Sequence, residues 1–346
     1  MDFTLSEQEK MVQSLARDFA EKEVAHRAAD IDRTNEFPAD LADRLGEQGF
    51  RGLPFPPEYG GGGAGYVSFA LALEEICRAS VSVGAIMAVN TVPQEGILRF
   101  GTEEQKKRLL TPLASGKQLG GIGFTEPDTG SDPRMVTTVC RPDGDGYVIN
   151  GQKMFMSLAP VLDVVLLFAK REDGDGLNAF IVESSSKGFA VQEVLETMGM
   201  RGLGTSIVNL DDVRVSRDNL IGAEGQGFDI LLEAISVERM AVAMQGVAAA
   251  QAALDLSIEY ARQRIAQGKP LTRMQAIQQQ LAEMAARIEA ARWLVYRTAF
   301  LHDRGQSIQY ESSMAKIFAS GVAVDVTRMA MQVHGSYGTM KSLPVE

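Results

Sequence analysis

The chain has 346 residues, of which 45% are hydrophobic, so it is long enough to bury a sizeable core in two or three domains. Its formal net charge of −11 argues against nucleic acid or an anionic membrane as the main partner, and no apolar run of membrane-spanning length is evident. Cys77 and Cys140 cannot build a disulfide framework, and the N-terminus has no secretory signal, so we expect a cytoplasmic protein. The three histidines lie far apart, which predicts no metal site.

The N-terminal part, from residue 4 to about residue 118, has the pattern of a helical domain. Apolar residues such as Leu5, Val12 and Leu15 recur near helical spacing. Thr-Glu-Glu-Gln at 102–105 resembles a capping box, the arrangement that begins a helix. Four glycines at 60–63 lack both a preceding strand and a following Gly-Lys-Ser/Thr, so we interpret them as a connecting loop rather than a phosphate cradle.

Strand-like runs separated by turns begin near residue 120. The runs 136–140 and 147–149 flank a Pro-Asp-Gly-Asp-Gly turn, which is a strong hairpin signal. The runs 164–168 and 179–182 flank a second turn, Asp-Gly-Asp-Gly at 173–176. The pattern predicts a compact antiparallel β-domain.

Helical patterns return after Gly227. The segments 228–263, 272–304 and 312–333 each have the length and pattern of one long helix. The sequence therefore predicts an α+β fold with three domains. These are a helical N-terminal domain at 1–119, a central antiparallel β-domain at 120–227 and a C-terminal bundle of long helices at 228–346.

The stretch 124–132, Phe-Thr-Glu-Pro-Asp-Thr-Gly-Ser-Asp, is the best candidate for a binding segment. Thr125 and Ser131 offer hydroxyls to a ligand, and Pro127 stiffens the turn. Gly130 allows close approach of the backbone and a positive φ. A planar, hydrogen-bonding cofactor needs such a segment, although a well-capped surface loop can have the same composition.

Several further motifs occur in the order found in the acyl-CoA dehydrogenase family of flavoproteins, which the chain resembles over nearly its whole length. They are Pro-Glu-Tyr-Gly-Gly at 57–61, Asn-Gly-Gln-Lys-Met at 150–154, Gly-Met-Arg-Gly at 199–202 followed by Thr205, Arg264 with Gly-Lys-Pro-Leu at 268–271, and Gln-Val-His-Gly at 332–335. The resemblance implies bound FAD. A Rossmann dinucleotide site is not indicated, because the glycines at 199, 202 and 204 have the wrong spacing and precede a strand.

The resemblance implies that FAD lies between the β-domain and the C-terminal helices. It assigns Phe124, Thr125, Gly130 and Ser131 to the isoalloxazine ring and pyrophosphate, and Phe155 and Ser157 to another part of the ring. It assigns Arg264, Gln267, Gln332 and Gly335 to the adenine half, which a neighbouring subunit commonly holds in this family. Three positions depart from the family's pattern: Phe155 replaces a usual Trp, Gln267 a usual Phe and Ser336 a usual second Gly.

The implied reaction is the α,β-dehydrogenation of an acyl thioester, in which a carboxylate removes the α-proton while the β-hydride goes to the flavin. In many members this base is a glutamate of a Tyr-Glu-Gly-Thr segment near the C-terminus. This chain stops at Glu346, before such a segment, and Glu346 itself lies too near the end to be a good candidate. A glutamate in a segment absent from the chain therefore remains an alternative base.

Another branch of the family carries its base in the long helix, directly before an arginine, and Glu238-Arg239 matches that pattern. Glu238 lies on an otherwise weakly polar helical line with Leu231, Ala234, Ala241 and Gln245. We therefore predict that Glu238 is the catalytic base. An ordinary helical carboxylate paired within its helix is the alternative.

The thioester can be carried by CoA or by an acyl carrier protein, and the motifs do not separate the two. Arg239 and Ser131 are the candidate substrate contacts. The family resemblance also implies a homotetramer or homodimer, with electron-transferring flavoprotein as electron acceptor. Two other functions remain open: a flavin-dependent monooxygenase or oxidase on the same scaffold, and a catalytically silent scaffold protein.

Overall fold

The computed structural model describes residues 4–174 and 176–345. Two residues used in the sequence analysis, Asp175 of the predicted second turn and the terminal Glu346, lie outside this part of the chain. The chain divides into two compact units. We name them the helix unit, which comprises Met1–Ala29, Tyr66–Gly84 and Arg239–Glu346, and the sheet unit, which comprises Asp30–Gly65 and Ala85–Glu238.

The N-terminal part of the chain is helical, as predicted. The predicted capping box is confirmed: the Gln105 N–H donates to the Thr102 hydroxyl, and the Thr102 N–H donates to the Gln105 side chain. Ser6 and Glu9 cap the first helix in the same way. The α-helices of this part are α1 (Glu7–Phe19), α2 (Ala28–Thr34), α3 (Ala39–Glu47), α4 (Gly65–Ala79), α5 (Val81–Phe100), α6 (Glu103–Gln105) and α7 (Thr111–Ala114).

The four glycines at 60–63 form a connecting loop, as the sequence analysis interpreted them. The loop packs against the preceding turn: the Gly62 N–H donates to the Gly52 carbonyl and the Gly63 N–H to the Phe55 carbonyl. A Cβ at Gly61 would collide with the Phe55 carbonyl. The glycines are therefore explained by close backbone packing rather than by ligand binding.

One eight-stranded sheet lies in the sheet unit, and most of its pairings are antiparallel, which confirms the predicted β-domain. Its strands are β1 (Gly120–Gly123), β2 (Val139–Asp143), β3 (Gly146–Met156), β4 (Val164–Arg171), β5 (Leu177–Glu183), β6 (Phe189–Val194), β7 (Ser206–Ser216) and β8 (Leu220–Ile221). The strand order is β6-β7-β3-β2-β4-β5-β8.

Two pairings depart from the antiparallel prediction: β1 and β2 both pair with β4 in parallel. β1 pairs with β4 from Val164 to Leu167, and β2 pairs with it at Lys170 and Arg171. Because two successive strands share one edge of β4, the chain between them, residues 124–138, has to leave the sheet. The binding segment predicted from sequence lies in this excursion.

Three long helices follow, close to the predicted segments: α8 (Gly227–Gln263), α9 (Gln275–Asp303) and α10 (Gln309–His334). A small hairpin of β9 (Ile265–Ala266) and β10 (Lys269–Pro270) follows α8. The first turns of α8 belong to the sheet unit, where Ile230, Leu231 and Ala234 share a core with residues such as Leu166 and Phe168 of β4. This packing fixes the orientation of this part of α8 and therefore of its next turn, which contains Glu238.

By length and composition α8 is the one helix of the described residues that could cross a membrane. In its most apolar window, 56% of the residues are buried within the protein. A buried core helix of a globular protein meets the same criteria, so this helix is weak support for a membrane span.

Candidate active site

A cavity of about 180 Å³ lies in the sheet unit, where the loop after β1, the end of β3 and α8 meet. Five residues singled out from sequence line it together with three apolar ones: Phe124, Thr125, Phe155, Ser157 and Glu238, with Val89, Ile122 and Met154. The structure therefore brings the predicted base and the predicted ring contacts to one place. Gly130 and Ser131 lie outside this lining.

The loop after β1 is a tight turn. The Glu126 N–H donates to the Thr129 carbonyl at 2.8 Å, and the Thr129 N–H donates to the Glu126 carbonyl at 3.2 Å. The Met154 N–H in β3 donates to the Thr125 carbonyl at 2.8 Å, which ties the loop to the strand. Gly130, which as a glycine can take a positive φ, does not adopt one. A Cβ there would have Thr125 Cγ2 as its nearest neighbour, at 4.0 Å, so the space beside Gly130 is open.

A buried ion pair lies behind this loop. Lys153 Nζ donates to Glu126 Oε1 at 2.8 Å and to the Phe124 carbonyl at 3.3 Å, and the two charged side chains are 0% and 1% exposed. Burial lowers the pKa of Lys153 to about 8, although the Glu126 charge opposes the shift. Burial acts to raise the pKa of Glu126, but the Lys153 charge and the hydrogen bonds from Thr137 and Thr138 outweigh it and lower that pKa to about 2.

A β-bulge at the end of β3 directs Phe155. Lys153 pairs with Val208 of β7 but Met156 pairs with Ser206, so β3 has one extra residue in this interval. Phe155 has φ +55°, in the left-handed region that large side chains avoid, and it is 60% exposed. Lys153 and Phe155 are two residues apart, so on a regular strand their side chains would lie on the same face. Because of the bulge, one side chain is buried and the other lines the cavity.

Glu238 reaches the cavity from α8. Its predicted helical line is confirmed as a buried stripe: the side chains at the neighbouring stripe positions, Leu231, Ala234, Ala241 and Gln245, are all buried. Glu238 itself is half-buried. A carboxylate therefore lines a cavity whose other walls are largely apolar or aromatic, which is the arrangement that a proton-abstracting base requires.

Hydroxyl groups and open space near the cavity could accept a hydrogen-bonding ligand. Among residues 4–174 and 176–345, no side chain or backbone group is found hydrogen-bonded to the hydroxyls of Thr125, Ser131 or Ser157. Thr125 and Ser157 line the cavity, whereas Ser131 is exposed and lies outside the lining. These hydroxyls can donate to ring or phosphate oxygens of a ligand, and the open space beside Gly130 leaves room for it.

The residues assigned to the adenine half belong to the helix unit, as does Arg239, which is half-buried directly after Glu238. Arg264, Gln267, Gln332 and Gly335 are all exposed. Gln267 and Gly268, with φ +52° and +74°, form the two-residue turn between β9 and β10. Gln267, one of the three departures from the family's pattern, is therefore a turn residue here.

The sequence analysis did not predict the pairing of two residues inside its own motifs. It assigned no role to Glu126 or to Lys153, which form the buried ion pair. The available signal was a lysine within the predicted strand region and the Asn-Gly-Gln-Lys-Met motif. Of the apolar lining residues, Met154 belongs to that motif but was assigned no role, and Val89 and Ile122 gave no signal, because apolar residues in helices and strands are ordinary core residues.

Comparison with known proteins gives one consistent answer. Family models described as acyl-CoA dehydrogenase N-terminal, middle and C-terminal domains match residues 6–117, 121–213 and 225–346. An acyl-CoA dehydrogenase of Bacillus subtilis (strain 168) is 41% identical over 346 residues, covering 99% of this chain and 91% of that protein.

Two solved structures are similar over the whole chain and over 92% of their own. Butyryl-CoA dehydrogenase from Megasphaera elsdenii superimposes with a TM-score of 0.97 at 35% identity. A chain in a structure of the electron-transferring flavoprotein of Acidaminococcus fermentans superimposes with a TM-score of 0.98 at 37% identity. The matching domains, the shared fold and the carboxylate-lined cavity agree, and the chain belongs to the acyl-CoA dehydrogenase family.

Proposed function

We propose that this protein is an FAD-dependent dehydrogenase that converts an acyl-CoA thioester to its α,β-enoyl form. The observation that carries the proposal is the shared cavity in which Glu238 meets Phe124, Thr125, Phe155 and Ser157. FAD is the cofactor of the family. The family-model ranges also support the three-domain division at 1–119, 120–227 and 228–346, which we retain as a proposal.

The residues around the cavity suit FAD. Thr125 and Ser157 offer hydroxyls, Phe155 offers an aromatic face, and the open space at Gly130 leaves room for a ligand against the backbone. We assign Phe124, Thr125, Gly130, Ser131, Phe155 and Ser157 to the flavin and pyrophosphate side. When bound, FAD supplies the acceptor for the hydride that leaves the substrate's β-carbon.

We assign proton abstraction to Glu238. A carboxylate oxygen of Glu238 takes the proton from the α-carbon, and apolar neighbours such as Val89 and Ile122 keep water away from the reacting carbon. We assign Ser131 and Arg239 to contacts with the thioester arm. A glutamate in a C-terminal Tyr-Glu-Gly-Thr segment is the alternative base, and substitution of Glu238 distinguishes the two.

We propose further that a second subunit completes the adenine side of the FAD site. Arg264, Gln267, Gln332 and Gly335 are exposed. An exposed arginine can hold a phosphate by charge-assisted hydrogen bonds. Large apolar side chains are also exposed on α9 and α10, namely Trp293, Phe300, Ile317, Phe318 and Val324. Such surfaces are typical of subunit interfaces, which supports a homodimer or homotetramer.

Electron-transferring flavoprotein is the proposed electron acceptor, supported by the similar chain in the Acidaminococcus fermentans structure. We propose the cytoplasm as the compartment, supported by two cysteines that are both buried as free thiols. Neither the oxidase function nor the silent scaffold is favoured by the relatives, which are named as dehydrogenases or reductases.

Anaerobic mixing tests the proposed function. FAD-loaded protein is mixed with acyl-CoAs of increasing chain length and with the matching acyl carrier proteins, and the loss of oxidised-flavin absorbance is followed. We expect rapid bleaching by acyl-CoA. Bleaching by carrier-bound substrates alone would correct the substrate class. A protein without flavin bands would be a scaffold, and rapid reoxidation by O₂ without electron-transferring flavoprotein would indicate an oxidase.

A further inference from the structure

The carboxylate of Glu126 joins two separate pieces of the excursion between β1 and β2. Its Oε2 accepts from the Thr137 N–H and hydroxyl, both at 2.6 Å, and its Oε1 accepts from the Thr138 N–H at 3.0 Å. Glu126 is also the first residue of the tight turn that ends at Thr129. One side chain therefore fixes the start of the excursion to its end.

Lys153 fixes the same loop to the sheet. Its ammonium group donates to Glu126 and to the backbone carbonyl of Phe124, a cavity residue. On the next residue of β3, the Met154 N–H donates to the carbonyl of Thr125, also a cavity residue. The position of the loop's cavity-lining part is thus set by bonds to β3.

Stability alone does not account for an ion pair in this place. Removing two charges from water is costly, and well-packed apolar residues of similar volume are commonly as stabilising as a buried ion pair. Apolar contacts are non-directional, whereas the hydrogen bonds of an ion pair fix the relative orientation of its two groups. The apolar anchors of the segment, Phe124 and Val136, lie near its two ends, whereas its middle residues Pro127, Asp128, Gly130 and Ser131 are exposed.

We propose that Lys153 and Glu126 are positioning residues for the cofactor: their buried ion pair holds the 124–138 segment in the geometry that binds FAD. The inference rests on the proposed FAD site. The pair keeps the Phe124 and Thr125 backbone at a set distance from Phe155 across the cavity. The pair matters less for keeping the protein folded than for keeping this loop in register with β3.

A double-substitution experiment separates positioning from stabilisation. Lys153→Met leaves the Glu126 charge buried without its ammonium partner, and we expect both a lower unfolding midpoint of the apoprotein and FAD binding weakened by about tenfold or more. Lys153→Met/Glu126→Leu removes both charges. We expect its unfolding midpoint to recover only partly towards the parent value, because the buried Thr138 N–H loses its acceptor, while FAD binding, measured by fluorescence titration, stays weak.

Hydrogen exchange supplies a readout that needs no cofactor. The Thr137 and Thr138 N–H groups donate to Glu126, so their exchange in the apoprotein should be faster in the double variant than in the parent. The control is Arg292→Met, which breaks the pair between the half-buried Arg292 and the buried Glu74 in the helix unit. It should lower the midpoint but leave FAD affinity and the exchange at Thr137 and Thr138 unchanged.

Three results would overturn the proposal. The first is a double variant that binds FAD as tightly as the parent, and the second is unchanged exchange at Thr137 and Thr138. The third is a double variant that is as unstable as Lys153→Met or fails to fold, since the pair would then be a requirement of the fold. If the parent itself does not bind FAD, the proposed function fails, whereas the exchange comparison still decides whether the pair orders the loop.

Discussion

Tyr260 and His334 stack, with ring centroids 4.4 Å apart and ring planes inclined by 29°. The stack joins the end of α8 to the end of α10. The Arg264 N–H donates to the Tyr260 carbonyl at 2.8 Å, and His334 directly precedes Gly335. Two segments far apart in sequence, which supply the proposed adenine-side residues, are therefore fixed to each other through these two rings.

Arg264→Ala should weaken FAD binding. The substitution would remove the proposed charge-assisted hydrogen bond to phosphate, and such a bond contributes on the order of 1.5–3 kcal/mol. Arg262→Ala is the matched control, because Arg262 is also exposed and lies at the same end of α8. FAD titration and light-scattering mass are measured on both variants. A monomeric parent that holds a full complement of FAD would contradict the shared site.

Glu238→Gln should abolish proton abstraction while keeping the shape of the side chain. We expect normal binding of FAD and thioester, and a rate of flavin reduction lower by about two to four orders of magnitude, because loss of a general base typically has this effect. Glu233 lies on the same helix but outside the cavity lining, so the flavin of Glu233→Gln should be reduced at the parent rate. Stopped-flow absorbance under anaerobic conditions measures both.

The outcomes for Glu238→Gln separate the alternatives. Equal rates in the variant and the parent would assign the base to a glutamate of the C-terminal segment. Loss of folding or of FAD binding would mean that Glu238 is an ordinary helical carboxylate with a structural role.

Phe155 should respond differently to glycine and to alanine. Its positive φ is strained for any residue with a Cβ, so Phe155→Gly should be more stable than Phe155→Ala by about 1 kcal/mol. Both variants lose the aromatic face that lines the cavity, so both should bind FAD more weakly. Denaturant unfolding of the apoproteins measures the stability difference. Equal stabilities would argue against a positive φ at this position in solution.

Acid should destabilise the protein partly through Glu126. The pKa of Glu126 is lowered in the folded state, from an ordinary 4.5 to about 2. Its contribution is therefore fully present above pH 4.5 and is lost as the pH falls from 4.5 towards 2. This loss amounts to about 3 kcal/mol, and the slope of unfolding free energy against pH should be shallower in Glu126→Gln.

The exposed Glu7→Gln variant is the control for the acid experiment, because the Glu7 side chain is 93% exposed in its pair with Lys10. Its stability should follow the parent's pH dependence within experimental error. If Glu126→Gln shows the same slope as the parent between pH 4.5 and 2, the buried pair does not account for acid sensitivity in this window.

The sequence alone determined the parts of this protein that depend on near neighbours in the chain. The Thr102 capping box, the three long C-terminal helices and the buried stripe through Leu231, Ala234 and Glu238 all follow from contacts within about four residues. Such contacts repeat with the period of the helix, so a single sequence displays them. The family motifs added the residues on both sides of the cavity.

The tertiary structure decided what depends on partners distant in sequence. The parallel pairing of β1 and β2 with β4 and the bulge that separates Lys153 from Phe155 arise when strands far apart in the chain satisfy each other's hydrogen bonds. The local preference of a residue for a strand is the same in a parallel and an antiparallel pairing, and with or without a bulge. The sequence pattern therefore could not select between these arrangements. The Lys153–Glu126 pair has the same origin, because a lysine becomes a buried partner only where folding removes it from water beside a carboxylate.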